Sequence, residues 1–309
     1  MSLALATLIY EWQRFIAAII SLAMAGILVL GVVGLFAGVL QSFTATIERS
    51  PADFLVGSSN EGSGETYRRK DANRLYSYEP VETAQELFQG QARWENILPK
   101  REPGAKPEPG QVIRSTFVTT LVLNPVKGDL SVPVDFTDQE LWILREPKVV
   151  LVDRTALGAL GVKKVGDLGR INGETVRVGA ILTRYANPLS PNVFMSRQTA
   201  HLVGVRASQA RVGTFALRMQ ADEDLVKAQG ELNALGRGVF EARRPAEIAR
   251  LLQKEMLGEN IIGTILRGLM IFSAVIGTMI TWQTMRGAIL ASIREFASMR
   301  ALGVPMAKL

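Results

Sequence analysis

Hydrophobic positions along the chain gather in two long blocks that bracket a region of ordinary mixed pattern. From Phe15 to Ile47 no Asp, Glu, Lys or Arg occurs, and a second charge-free run covers Gly268 to Met285. A helix needs about 20 apolar residues to cross the hydrocarbon layer of a bilayer, so the first block is long enough and the second suffices when extended back to about Ile261. Arg267 then sits one turn inside the outer edge, where its long side chain snorkels to the headgroups. Trp282, near the opposite end, has the amphipathic ring that interfaces favour. The first block is too long for a cleavable leader, whose apolar core runs about 7–15 residues behind a basic start, and too long for a buried helix of a soluble domain. The pattern predicts two spans, residues 15–47 and 259–286, around an outer domain at 48–258.

Ahead of the first block, Leu5, Leu8, Ile9 and Trp12 recur at helical spacing beside Glu11 and Arg14. Residues 1–14 read either as an amphipathic helix on the inner lipid surface or as an inward extension of the span. Within the span, Gly34 and Gly38 form a GxxxG pair with Gly31 nearby. Small residues so placed allow close helix–helix approach, which makes Gly31, Gly34 and Gly38 candidates for helix packing or a dimer contact.

Between the blocks the periodicity changes to that of a mixed α+β domain. Asp53–Val56 reads as a strand after the first span, Ser58–Gly64 as a Gly/Ser loop, and Tyr67–Arg74 as a polar, basic segment. The four prolines of Pro99–Gly110 mark an exposed loop or a boundary between two lobes. Val112–Leu123, rich in β-branched residues, Val149–Val152 and Phe215–Met219 read as strands. Arg170–Thr183 reads as a hairpin, because Asn172-Gly173 supplies the positive φ angles of a tight turn. Helices are expected at Arg197–Val203 and at Asp222–Leu235, where Leu225, Val226, Gln229 and Leu232 share a face. Pro245, at a first helical position, opens a run with Ile248, Leu251, Leu252 and Met256 at helical spacing; Gly258 and Gly263 weaken its join to the second span.

Composition and charge refine this picture. Of 309 residues 48% are hydrophobic and 21% charged, and the formal net charge is +6. Half of that excess lies between Glu48 and Gly258, with 29 basic and 26 acidic residues, and half in the short tail Arg286–Leu309, with four basic and one acidic. No basic block alternates with aromatics, so the charge does not point to nucleic acid. A basic tail beside a span is a cytoplasmic flank. Both termini are therefore expected inside and the large domain outside the cytoplasm, in a multi-pass protein of the inner (plasma) membrane.

Chemistry is scarce. The chain has no cysteine, and His201 is its only histidine. No Walker A, GxSxG, HExxH or EF-hand pattern occurs. Glu247, Lys254 and Glu255 read as a solvated helix face. No catalytic residue, cofactor site or metal site is expected, and the chain reads as a non-catalytic binding or force-transmitting module.

The most informative residues follow the second span. Gly287-Ala288-Ile289-Leu290-Ala291-Ser292-Ile293 leads into Arg294-Glu295-Phe296-Ala297-Ser298-Met299-Arg300-Ala301-Leu302-Gly303. Ile289, Ile293, Phe296 and Leu302 recur roughly every three to four residues, Gly303 suits the left-handed position after a helix end, and Pro305 prevents continuation. Residues 287–309 thus read as a short amphipathic cytoplasmic helix, fitted to a lipid surface or to a soluble partner.

The string REFASMRALG resembles the signature that follows the second span in ABC-transporter permeases of the MacB/FtsX family. Thr281-Trp282-Gln283-Thr284 and Gly287-Ala288-Ile289 are most similar to its DevC-like branch. The layout of the whole chain agrees with that family, while the motif covers about 25 residues. The resemblance implies a MacB-like periplasmic core domain and a coupling helix seated on a separate cytoplasmic ABC ATPase subunit, which would bind the ATP. Carried over, Ile293, Arg294, Glu295, Phe296, Met299, Arg300, Leu302 and Gly303 form the docking surface. It further implies a homodimer or pairing with a second permease chain, with a periplasmic adaptor (membrane-fusion protein) and an outer-membrane channel as further partners. Family members continue into two more spans beyond the point where this sequence stops, so the resemblance implies a truncated or split chain, or the front part of one. Two other functions fit the layout: an FtsX-like regulator of cell-wall hydrolases, and a two-span sensor with an outer ligand-binding domain.

Overall fold

A computed structural model describes residues 12–59, 67–97, 115–187, 190–205, 211–257 and 261–301. The chain divides into two units, Gln41–Lys254 and a second that joins Met1–Leu40 to Glu255–Leu309. Helix α1 (Trp12–Glu48) takes up the first apolar block without a break. Among the described residues its apolar stretch is Val29–Ser42, shorter than a span. Its last turn belongs to the larger unit, where Thr44 is fully buried and donates its hydroxyl to Glu48 at 2.8 Å. Pro51 stands three residues after Glu48; an X-Pro step disfavours helical geometry at the residue before it.

The larger unit continues with β1 (Phe54–Ser58), β2 (Tyr67–Arg68), α2 (Arg69–Ala72), β3 (Val81–Asn96) and β4 (Ser115–Leu123). Then come α3 (Asp138–Leu144), β5 (Val149–Asp153), α4 (Leu157–Leu160), β6 (Leu168–Ile171), β7 (Glu174–Leu182), β8 (Asn192–Ser196) and α5 (Arg197–Leu202). It closes with β9 (Arg211–Val212), β10 (Thr214–Met219), α6 (Leu225–Gly236), β11 (Phe240–Arg243) and α7 (Pro245–Leu257). Local chemistry accounts for many of the boundaries. Thr137 and Glu140 form a capping box on α3, and Ser196 and Asp224 cap α5 and α6. Asn172 and Gly173, at φ 51° and 89°, turn β6 into β7 as expected. Pro245 is the first residue of α7.

Nine strands form one sheet in the order β11-β1-β10-β3-β4-β8-β5-β7-β6, and β6 returns to pair with β3. The ring β3-β4-β8-β5-β7-β6 is therefore a closed barrel. Alternation along its strands turns Val118, Val150, Val152, Val178, Val193 and Met195 into one buried cluster. Trp94 is fully buried in that cluster, and its indole N–H donates to the Leu160 carbonyl at 3.0 Å. Strands β11, β1, β10 and the first half of β3 make an open sheet, whose core joins Phe54, Phe215, Leu217 and Phe240 to Leu232 of α6. Strand β3 serves both lobes: its register is with β10 as far as Leu87, with β4 from Phe88 to Glu95 and with β6 from Trp94 to Asn96. Two lobes were expected to meet near the proline-rich segment 99–110, which lies outside the described residues; they meet instead within this one strand. On the outer side of the open sheet, the Ala242 N–H donates to Asn233 Oδ1 at 2.7 Å and its carbonyl accepts from Gln229 Nε2 at 3.2 Å.

Strands β4, β5 and β10 and helices α5 and α6 fall where the pattern places them. Strands β3, β8 and β11 and helix α3 have no counterpart in the sequence reading. Helix α8 (Ile261–Ala301) carries the second apolar block, and Gly268–Gly287 is the one segment among the described residues long and apolar enough to cross a membrane. The sequence placed a separate helix at 287–309. Instead α8 runs on through Ala301, because Arg286–Ala301 holds no proline and a single glycine costs only about 1 kcal/mol against alanine. Residues 1–11, the join at 258–260 and the helix stop after Ala301 lie outside the described residues.

Candidate functional site

A dense polar network is built where α1 ends. The Arg49 carbonyl accepts from the Val134 N–H at 2.9 Å, which brings the β4–α3 segment against the root of the helix. The Arg49 guanidinium donates to the Arg184 carbonyl and lies 3.4 Å from Asp135. Arg184 reaches the same carboxylate at 3.2 Å and donates to both Glu140 oxygens at 2.9 and 3.0 Å. The Tyr185 phenol donates to Asp135, so one carboxylate gathers two guanidiniums and a hydroxyl. Two arginines and two carboxylates balance in charge, as partly buried ions must.

Aromatic packing holds this network in place. Tyr185 is fully buried against Phe194 and Phe136, with ring centroids 4.9 and 5.6 Å away. The Arg49 guanidinium carbon stands 5.1 Å from the Tyr185 ring centre and that of Arg184 6.0 Å, within cation–π range. Burial drives the phenol well above its usual range. The hydrogen bond and charge of Asp135 add to the rise, the two arginines oppose it, and Tyr185 stays neutral. Its backbone is fixed as well, the N–H donating to Asp153 at 2.9 Å and the carbonyl accepting from Asn192 at 3.2 Å.

Asp129 ties the same segment to the strand shared by both lobes. It accepts from Gln85 at 2.7 Å, from Asn124 at 2.6 Å, and from the Ser131 N–H and hydroxyl at 2.9 and 2.6 Å. Burial alone would raise its pKa; these hydrogen bonds outweigh burial and hold it below the usual carboxylate range. A depressed folded-state pKa means stability that is present above the unfolded value of about 3.9 and is lost as pH falls through the folded one. Chemical denaturation at pH 7 and pH 3 is therefore expected to show a larger loss for the parent than for Asp129→Asn. Equal losses would remove Asp129 from the acid response.

Below the polar network, Leu130 joins a cluster with Ala52, Leu55 and Ala216, against which Ile47, Leu87 and Ile248 pack. Gln253 of α7 donates to Thr44 of α1 at 3.4 Å. The last turn of α1, helix α7, the β4–α3 segment and the shared strand thus meet at one junction. Among the described residues no group of three or more His, Asp or Glu side chains is placed to hold a metal. What the junction holds together, through ion pairs and packed side chains, is the last turn of α1, α7 and both lobes.

The sequence-predicted residues lie elsewhere. Ile293, Arg294, Glu295, Phe296, Met299 and Arg300 are on the last turns of α8, with Ile293 exposed. Leu302 and Gly303 lie outside the described residues. Gly31, Gly34 and Gly38 face open space, since a Cβ built at each meets nothing within 4 Å, while Val32, Phe36 and Val39 are half-buried. Sequence reasoning missed Arg49, Asp135 and Arg184. The one local signal was an arginine directly after a charge-free block, which reads as an ordinary flank; its partners are remote in sequence.

A family model described as a MacB-like periplasmic core domain matches residues 15–235. The periplasmic region of MacB from Actinobacillus actinomycetemcomitans is similar in structure at 13% identity, with 67% of this chain and 95% of that one covered and a TM-score of 0.39. The extracellular domain of the noncanonic ABC-type transporter YknZ from Gram-positive bacteria gives 12% identity, 62% and 100% coverage and a TM-score of 0.35. None of the curated proteins compared with the chain matches it.

Proposed function

Since the chain belongs to the family of the MacB-like periplasmic core domain, we propose that it is a permease subunit of an ABC transporter of MacB/FtsX type. The observation that carries this reading is the family match itself, which takes in most of α1, the barrel and the open sheet as far as α6. In this reading α1 and α8 both cross the inner membrane, both termini are cytoplasmic, and the domain stands on the outer side. A separate ATPase binds and hydrolyses ATP; its closure moves the inner end of α8, and the spans relay that motion. The α1 root suits the outer end of such a relay, because Arg49, Asp135 and Arg184 bind it to the barrel lobe while Leu130 and Ile47 bind it to the shared strand. The chain itself does no covalent chemistry. Export of a substrate, with an adaptor and an outer-membrane channel as further partners, is the function assigned, and the open Gly31, Gly34 and Gly38 face of α1 is assigned to a second permease chain.

The inner end of α8 provides the test. Placing a charge at an apolar anchor of a protein interface costs about 2 kcal/mol or more, equivalent to well over tenfold in affinity. Phe296→Asp and Glu295→Arg are each expected to lower recovery of the ABC ATPase with the tagged chain by at least about tenfold, while carbonate-resistant membrane insertion is unchanged. Undiminished recovery with both variants would refute the assignment of this helix end as the ATPase contact. Replacing Gly34 with Leu is likewise expected to weaken self-association in detergent, and unchanged association would remove the dimer face.

A further inference from the structure

The segment that carries Asp129 and Asp135 also presents apolar side chains that stay at least half exposed. Val126 is 50% exposed, Val134 68% and Trp142 70%. Trp142 lies on the face of α3 that also carries Asp138 and Arg145, and both of these are tied to the start of the segment. Asp138 pairs with Lys127 at 3.0 Å, and the Arg145 Nε donates to the Pro125 carbonyl at 3.3 Å. The exposed indole and Val126 therefore belong to one surface, rimmed by two basic side chains.

The chain fixes the height of this surface relative to the end of α1. The Val134 N–H is bonded to the carbonyl of Arg49, the first residue after α1. Leu130 packs in the cluster that takes in Ile47, the last residue of the charge-free block. In the reading of α1 as a span the helix leaves the hydrocarbon before its last turn, which is built into the domain with Thr44 fully buried, so the segment bound to that turn lies next to the headgroups.

We propose that Val126, Val134 and Trp142 seat the outer domain on the outer lipid surface. The proposal rests on the reading of α1 as a membrane span. Tryptophan favours the boundary between hydrocarbon and water, where its ring is apolar and its N–H stays wet. Lys127 and Arg145 at the rim suit the phosphates of the headgroups. A lipid surface also accounts for exposed apolar side chains beside the end of a span, without calling on a partner protein.

The absence of cysteine makes the test direct. Val134→Cys and Trp142→Cys each carry a single spin label in the full chain, reconstituted in phosphatidylcholine–phosphatidylglycerol vesicles. Val226→Cys on α6, 68% exposed in the parent, is the aqueous reference. Relaxation by lipid-soluble oxygen, relative to a water-soluble nickel chelate, is expected to be several-fold greater at 134 and 142 than at 226. Ratios equal to that at 226 overturn the proposal, as does exclusion of both relaxers with an immobilised spectrum, which would mean protein covers the surface. Release of the chain from the vesicles by alkaline carbonate would instead sink the reading of α1 as a span, and the proposal with it.

Discussion

Gly169→Ala is expected to destabilise the protein by about 3 kcal/mol, the upper part of the range for forcing atoms into a packed core. A Cβ at this position would stand 2.1 Å from Trp94 Cζ2, 2.5 Å from Cη2 and 2.7 Å from Cε2. The indole has no room to retreat, because it is fully buried and its N–H is held by the Leu160 carbonyl. The backbone has none either, since Gly169 pairs with Asn96 in the seam that closes the barrel. Urea denaturation of the full chain in detergent, followed by far-ultraviolet circular dichroism, measures the loss. Trp94→Phe removes the ring atoms that the new methyl meets, so the double variant is expected to be more stable than the sum of the two single losses predicts. A Gly169→Ala protein as stable as the parent would mean that the seam is open in solution.

Asp135→Ala is expected to cost about 2–3 kcal/mol, below the 3–5 that follows breaking a fully buried ion pair. The discount is for exposure: the Asp135, Arg184 and Arg49 side chains keep 27%, 30% and 33% of their surface. The variant leaves two guanidiniums facing each other and the buried Tyr185 hydroxyl without its acceptor. Asp135→Asn returns an acceptor to Tyr185 but no charge, so it is expected to recover only part of the loss. Urea midpoints of the three proteins decide the matter. Equal midpoints would show that the ion pairs contribute nothing to stability, and the α1 root would then be held by packing alone.

Elements whose cause is local were legible in the sequence. Asn172-Gly173 can hardly do anything but turn, Pro245 is suited to open a helix, and the first four residues of β5 are a continuous run of buried aliphatic side chains. Strand β3 was not legible. Its sequence, VETAQELFQGQARWEN, is rich in Glu, Gln and Ala, which favour helix, and its apolar positions make no continuous alternation. It is a strand because β10, β4 and β6 all bond to it, and tertiary pairing overrides propensity. Missing β3 meant missing the barrel, the seam and the true boundary of the lobes. The α1 root was hidden for the same kind of reason, since Arg49 finds Asp135 and Arg184 only once the fold exists. Conversely, the residues that the resemblance picks out on α8 were visible as a motif, because a recognition string is local.

One strand common to both lobes also limits how the domain can respond to a pull. A hinge needs a few residues free to change φ and ψ, and between Leu87 and Phe88 both neighbours are committed to ladders. The shared strand therefore leaves no unpaired residue between its two ladders to serve as a hinge.

The border of the open sheet has a different consequence. Closure of β6 onto β3 removes one free margin, which leaves β11 as the outer strand of the nine-stranded sheet. Asn233 and Gln229 occupy the outward amide and carbonyl of Ala242, in the middle of that strand. Membrane proteins crowd in two dimensions, and an unguarded margin there would invite neighbouring copies to stack strand on strand into fibres. Two amides from a single helix close that site to such a polymer.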